Sequence, residues 1–159
     1  MNGAEFSPDG VYRYRLWREW DASLPRCAFV MLNPSTADAS QNDPTIRRCI
    51  GYATRWGYGA LDVVNLFGYR ATNPRELRTA LDPVGPGNDE AILWAARVCR
   101  TVFAAWGVHG AFRGRDRYVE QLLAEQSIGI YALGLTKDGH PRHPLYLPSD
   151  IREVVMLCA

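Results

Sequence analysis

The stretch CAFVMLNPSTAD, residues 27–38, joins an unbroken apolar run to a polar cluster, and that junction decides the architecture. Cys27 to Leu32 are all apolar and do not alternate, which marks a strand covered on both faces. Three more runs behave the same way: LDVVNLF (61–67), RTVFAAW (100–106) and IGIYALGL (128–135). Helical patterns separate them. DPTIRRCIGYATRWG (43–57) opens with Pro at the first turn, sets Ile46, Cys49, Ile50 and Ala53 on one face, and stops at Gly57, suited to a helix C-terminal cap. NDEAILWAARVC (88–99) offers Asn88 and Asp89 as caps and turns Ile92, Leu93, Ala96 and Val98 inward, while RDRYVEQLLAEQ (115–126) carries Tyr118, Val119, Leu122 and Leu123. Strand, helix and strand in repetition imply right-handed crossovers. The expected fold is α/β, a three-layer α/β/α sandwich around a central, mostly parallel four-stranded sheet. The alternating VYRYRLW (11–17) predicts an antiparallel N-terminal edge strand. There is no internal repeat or low-complexity segment, and residues 1–159 are expected to form a single domain.

Composition narrows the chemistry. At 47% hydrophobic and 22% charged residues the chain is of ordinary globular type. It has no apolar run of the roughly 18 to 20 residues that span a bilayer, and its N-terminus lacks the order of a signal peptide, so a cytoplasmic protein with no membrane partner is expected. Cys27, Cys49, Cys99 and Cys158 lie far apart among apolar neighbours and read as reduced core residues. With three His and no metal-ligand spacing, neither a metal nor any other cofactor is expected. A net charge of +1 argues against a strong non-specific field, although seventeen Arg stand against the single Lys137. Arginine recognises phosphate and planar groups.

In parallel sheets ligands sit beyond the C-terminal strand ends, so each strand's exit is the place to look for function. The exits read LNPSTAD, NLFGYRATNP, WGVHGAFRGR and TKDGHPRHPLYLP. Asn33, forced into extended backbone by Pro34, either projects into a site or caps a local turn. Ser35 and Thr36 present hydroxyls to a ligand or cap a helical turn. Asn65 interrupts an apolar strand, and its amide complements a base edge if it faces a pocket. His143 is favoured over His140 as the histidine of the site, each held beside a proline. Phe67 and Tyr69 are the best placed of the aromatics for stacking on a planar ring, with Trp106, Phe112 and Tyr146 behind them. Arg70 and Arg142 add positive charge. There is no G-x-S-x-G, no cysteine at a strand exit, and no glycine-rich phosphate loop.

The order of these motifs resembles the uracil-DNA glycosylase superfamily, and residues 11–158 resemble the family called domain of unknown function 1643. MLNPS is similar to the G-I-N-P-G of the mismatch-specific glycosylases, VVNLFGYRATNP to their L-L-N strand end followed by Arg, VFAAWG to V-F-L-L-W-G, and HPLYL to H-P-S-P-L. The resemblance implies a glycosylase-like fold and a site that acts on a nucleobase, nucleotide or DNA by cleaving an N-glycosidic bond. It implies that Asn33 orients the attacking water, Asn65 reads the base edge, Phe67 or another aromatic stacks on the base, and His143 stabilises the leaving base. His140 is the alternative register. The Asp of the strongest glycosylase motif is absent, which leaves Asp38 or Asp43 as the carboxylate to act in its place. The alternatives are a non-catalytic module that binds nucleic acid or a nucleotide in the same pocket, and a hydrolase of a small amide-containing substrate.

Overall fold

The computed structural model describes residues 1–151 and 154–158. Thirteen elements alternate along the chain in the order that the apolar runs predict, with additions at both ends. The strands are β1 (Asn2–Phe6), β2 (Arg13–Glu19), β3 (Arg26–Met31), β4 (Ala60–Asn65), β5 (Val102–Ala104), β6 (Ile130–Ala132) and β7 (Val155–Cys158); the helices are α1 (Pro44–Arg55), α2 (Glu76–Thr79), α3 (Asn88–Cys99) and α4 (Arg115–Ala124). Two short 3-10 segments, Val108–Gly114 and Pro144–Tyr146, follow β5 and β6.

All seven strands belong to one mixed sheet in the order β1-β2-β4-β3-β5-β6-β7. β4, β3, β5 and β6 run parallel, while β2 on one side and β7 on the other are antiparallel to their neighbours. The expectation of four strands plus one edge strand is therefore corrected to seven. β2 is not an edge, because β1 pairs outside it from Asn2↔Arg18 to Phe6↔Arg13. β1, NGAEF, is mixed in character and lacks the continuous apolarity of the buried four, whereas β7, VMLC, is apolar but only four residues long. The β1–β2 register carries a bulge: Glu5 faces Arg15 and Phe6 faces Arg13, which leaves Tyr14 without a partner. A bulge inserts one residue and reverses the faces of those before it. Arg13 thus shares a face with Leu16 and Arg18.

The core is double. Ala28, Val30, Val64 and Val102 pack with Ile92, Ala95 and Ala96 of α3 and Val119 and Leu123 of α4. Cys27, Phe29, Met31 and Val63 pack with Ile46, Cys49, Tyr52 and Ala53 of α1. Each central strand contributes to both clusters, which is why its sequence does not alternate. α1 begins as predicted, with Asp43 accepting from the Ile46 N–H at 2.8 Å and Pro44 in the first turn, and ends at Gly57, whose φ of +86° suits glycine. Two inward assignments change. Val98 and Tyr118 are exposed, and Ala91, Ala95 and Cys99 take the inner face of α3 instead. Asp62 is wholly buried in β4, where it pairs with Arg15 at 3.2 Å and Arg26 at 3.1 Å.

No helix among the described residues is long and apolar enough to cross a membrane. Cys27, Cys49 and Cys99 are free and buried, and burial raises all three thiols, Cys99 to about 12. None is available as a thiolate nucleophile near neutral pH. The side chain of Cys158 lies outside the described residues.

Candidate functional site

The chain leaves β3 for α1 on one face of the sheet and β5 for α4 on the other, so neighbouring exits diverge. A crevice opens at such a point. Here it is a cavity of about 550 Å³, whose wall includes Asn33, Ser35, Asp43, Asn65, Arg142 and His143. All four exit loops meet there. Residues of the cavity wall also hold four of the six buried side-chain nitrogen and oxygen atoms that lack a partner among the described residues: Arg13 Nε, Asn65 Nδ2 and Oδ1, and Trp106 Nε1. Buried polar atoms are nearly always paired, so such a concentration marks where a ligand or ordered water would supply partners.

Asn65 ends β4 fully buried, with both amide atoms unpaired. Its backbone is held firmly. Asn88, at the start of α3, donates Nδ2 to the carbonyls of Asn65 at 2.8 Å and Leu66 at 3.1 Å, and Arg115 Nε donates to Leu66 at 2.7 Å. The strand end is thereby fixed while the Asn65 side chain is left with one acceptor and two donors to offer. In the sequence Asn88 reads as a helix cap and Arg115 as a helix residue, and neither shows that it clamps this strand end.

Asn33 is divided between the two roles open to it. Its Nδ2 donates to Ala71 O at 2.7 Å and Pro34 O at 3.1 Å, tying the β3 exit to the β4 exit, and its Oδ1 accepts from none of the described residues. Pro34 is buried and its carbonyl also accepts from the Ala71 N–H at 3.0 Å, so it is part of the wall's support. Ser35 lines the cavity and an adjoining open groove, whereas Thr36 lines the groove alone. Asp43 spends one oxygen on the α1 N-terminus and lines the cavity. Asp38 instead accepts from the Ser40 and Gln41 N–H groups and is not part of the wall.

His143 accepts the Leu145 N–H on Nδ1 at 3.2 Å. A ring that accepts on Nδ1 in its neutral form carries its proton on Nε2, which leaves an N–H donor. Burial lowers its pKa, against the opposing charge of Asp43. Gly107 lies alongside, with φ +75° and ψ −172°, in a region open essentially to glycine; a Cβ there would stand 3.9 Å from His143 Cβ. Gly107→Ala is expected to cost about 1 to 3 kcal/mol from backbone strain. Chemical denaturation would check the loss, and movement of the His143 ring resonances would show that the strain reaches the site.

Other expected residues fall elsewhere. Phe67 is fully buried against Phe112 in the core, with ring centroids 5.8 Å apart, and has no face to give a ligand. Tyr69 packs edge-on against Tyr12 at 6.2 Å and is not part of the wall. Position past the strand end places both, since the chain has already turned into the core. The aromatics on the wall are Trp106, buried, and Tyr146, 75% exposed with its ring 5.6 Å from that of His143. Arg70 lines the adjoining groove and donates to Gly10 O at 3.0 Å. Arg142 lines the cavity and donates to Tyr146 O at 2.6 Å. His140 is outside the wall; its backbone pairs with Thr136 on both sides, so it serves a turn.

Arg13 went unread in the sequence, because only the bulge at Tyr14 brings it to this face. It lines the cavity, and burial lowers its guanidinium to about 10, with Asp43 opposing the shift. No group of three or more His, Cys, Asp or Glu able to hold a metal occurs among the described residues.

The model of a family described as a protein of unknown function (DUF1643) matches residues 13–145. The chain belongs to the DUF1643 family. Within it, the matched span of this DUF1643 chain runs from β2 into the 3-10 turn after β6 and takes in the whole cavity wall except Tyr146. No curated protein and no solved structure matches the chain.

Proposed function

We propose that the cavity takes a nucleobase and that the protein hydrolyses an N-glycosidic bond in DNA or a nucleotide, on a three-layer sandwich of the uracil-DNA glycosylase type. The observation that carries this reading is the Asn65 amide, buried at the cavity wall with every hydrogen-bonding group unspent. An amide held that way pairs with the edge of a planar heterocycle, whose own donors and acceptors replace the missing partners.

Around it the other groups take consistent roles. Asn33, anchored by its nitrogen, keeps an oxygen acceptor with which to orient a water. Asp43 keeps one carboxylate oxygen for the water's proton. Cleavage passes charge to the departing base, and a fixed donor aimed at that charge lowers the barrier. The Nε2–H of neutral His143 is such a donor. Tyr146, exposed at the cavity mouth, replaces Phe67 as the surface on which a base would stack.

A second reading, binding without chemistry, is favoured by Asn33 itself. An amide cannot accept a proton as a carboxylate does, and half of this one is spent on the scaffold. The two readings separate in one assay. Single- and double-stranded oligonucleotides carrying uracil, hypoxanthine, xanthine or hydroxymethyluracil are incubated with the protein, and abasic sites are scored. Abasic sites that vanish with Asp43→Asn support hydrolysis. Tight base or nucleotide binding with no abasic site from any substrate would leave the binding module.

A further inference from the structure

Two arginines of β2 are buried on the same face of the sheet, each 2% exposed, and they meet opposite fates. Arg18 is saturated: it donates to Asn42 Oδ1 and to the carbonyls of Gly3, Trp17, Asp38, Ala39 and Gln41, at 2.6 to 3.3 Å. It is a staple for the loop between β3 and α1. Arg13 makes one hydrogen bond, from Nη1 to Ala37 O at 2.8 Å. Its Nε is enclosed and unpaired, and the residue forms part of the cavity wall.

A cation removed from water is costly unless it is paired. No carboxylate of the described residues comes within ion-pairing distance of Arg13. Asp43 acts on it from farther away, with one oxygen already given to the Ile46 N–H. Arg70, Arg18 and Asp38 are among the other charges that act on it. With Nη1 spent on Ala37, the Nε and Nη2 edge remains, and this edge binds two oxygens of one anion side by side.

We propose that Arg13 is an oxyanion site on the cavity wall, holding the phosphate or carboxylate of the cavity's ligand on its Nε and Nη2 edge. The inference rests on the cavity being the ligand site and deepens the nucleobase reading: the favoured ligand is a nucleotide with a terminal phosphate, and a neutral nucleoside or free base is a poor substitute. The carboxylate is the other source of the same chemistry.

The test follows the Arg13 Nε–H resonance of the full chain during titration with inorganic phosphate, acetate, uridine, guanosine and their 5′-monophosphates, with affinities from calorimetry. The expected result is a shift with phosphate and with the monophosphates but not with the nucleosides, and a monophosphate affinity at least about tenfold above that of its nucleoside. Arg13→Gln should bring that ratio to near one, and Arg13→Lys, a point charge without the fork, should fall between. A shift with acetate alone assigns the site to a carboxylate ligand. A shift with phosphate while no nucleoside or nucleotide binds keeps the oxyanion site and removes the nucleobase reading. Equal affinity for nucleoside and monophosphate in the unsubstituted protein, or an Arg13 resonance unmoved by every anion, overturns the proposal. The titration of the unsubstituted protein decides the matter even where Arg13→Gln does not fold.

Discussion

Replacing Asn65 with leucine is expected to make the protein more stable and to abolish the proposed recognition of a base. The two effects have one cause. The amide is fully buried with no partner on either polar atom, and such a group costs about 1 to 3 kcal/mol relative to a paired or apolar one. Leucine has a similar size and no polar atoms to leave unpaired. A gain of about 1 kcal/mol would raise the melting temperature by about 2 to 4 °C for a chain of this length. Base or nucleotide affinity should drop about 100-fold, since a site built to hydrogen-bond a ligand and then deprived of the amide leaves the ligand's edge unpaired. Thermal unfolding beside calorimetric titration checks both. A leucine variant that loses stability and keeps its affinity would make Asn65 a scaffold residue.

His143→Ala is expected to lower any glycosidic cleavage about 100- to 1,000-fold, the usual cost of a donor aimed at developing charge, and to remove an acid limb from the pH profile. Burial lowers the pKa of His143 from 6.5, so the folded protein favours the neutral ring. The sign follows from proton linkage. Above 6.5 the ring is neutral folded or unfolded, and its contribution to stability is complete. As pH falls below 6.5 the unfolded chain takes up a proton that the fold resists, and stability declines until the folded pKa is passed. Protonation also ends the bond from the Leu145 N–H, because both ring nitrogens are then donors. Stability should therefore decline on the acid side of 6.5 and level off below the folded pKa, while activity, which depends on the folded ring alone, falls only as pH passes through that lower folded pKa. An NMR titration of the His143 ring, with rates measured across the same range for the histidine and alanine proteins, tests this. A ring titrating above 6.5 would contradict it.

The parts of the molecule that were legible beforehand are those where one physical rule dominates. Four apolar runs named the four parallel strands, because burial on both faces leaves no room for polar residues. Asp43, Pro44 and Gly57 bounded α1 because capping chemistry is local. Asn33, Asn65 and His143 could be placed near one another because parallel strands deliver their exits to a single edge. Phe67 and Tyr69 were harder. They lie two and four positions beyond Asn65, where the path of the loop decides orientation, and that path depends on Asn88 and Arg115 from distant helices. Arg13 was illegible for a sharper reason: regular alternation in VYRYRLW would set it on the face opposite Leu16, and a bulge leaves no local mark in that stretch.

That bulge makes the charge of the cavity a matter of chain length. Arg13 reaches the wall because Tyr14 is one residue more than β1 can match. Inserting one residue between Glu5 and Phe6 would give Tyr14 a partner, restore a continuous ladder and carry Arg13 around to the α3 side, taking a buried cation out of the pocket without altering any residue that touches it. A homologous pocket could gain or lose its positive end by a single-codon insertion or deletion some distance away, a change that a comparison of wall residues alone would miss.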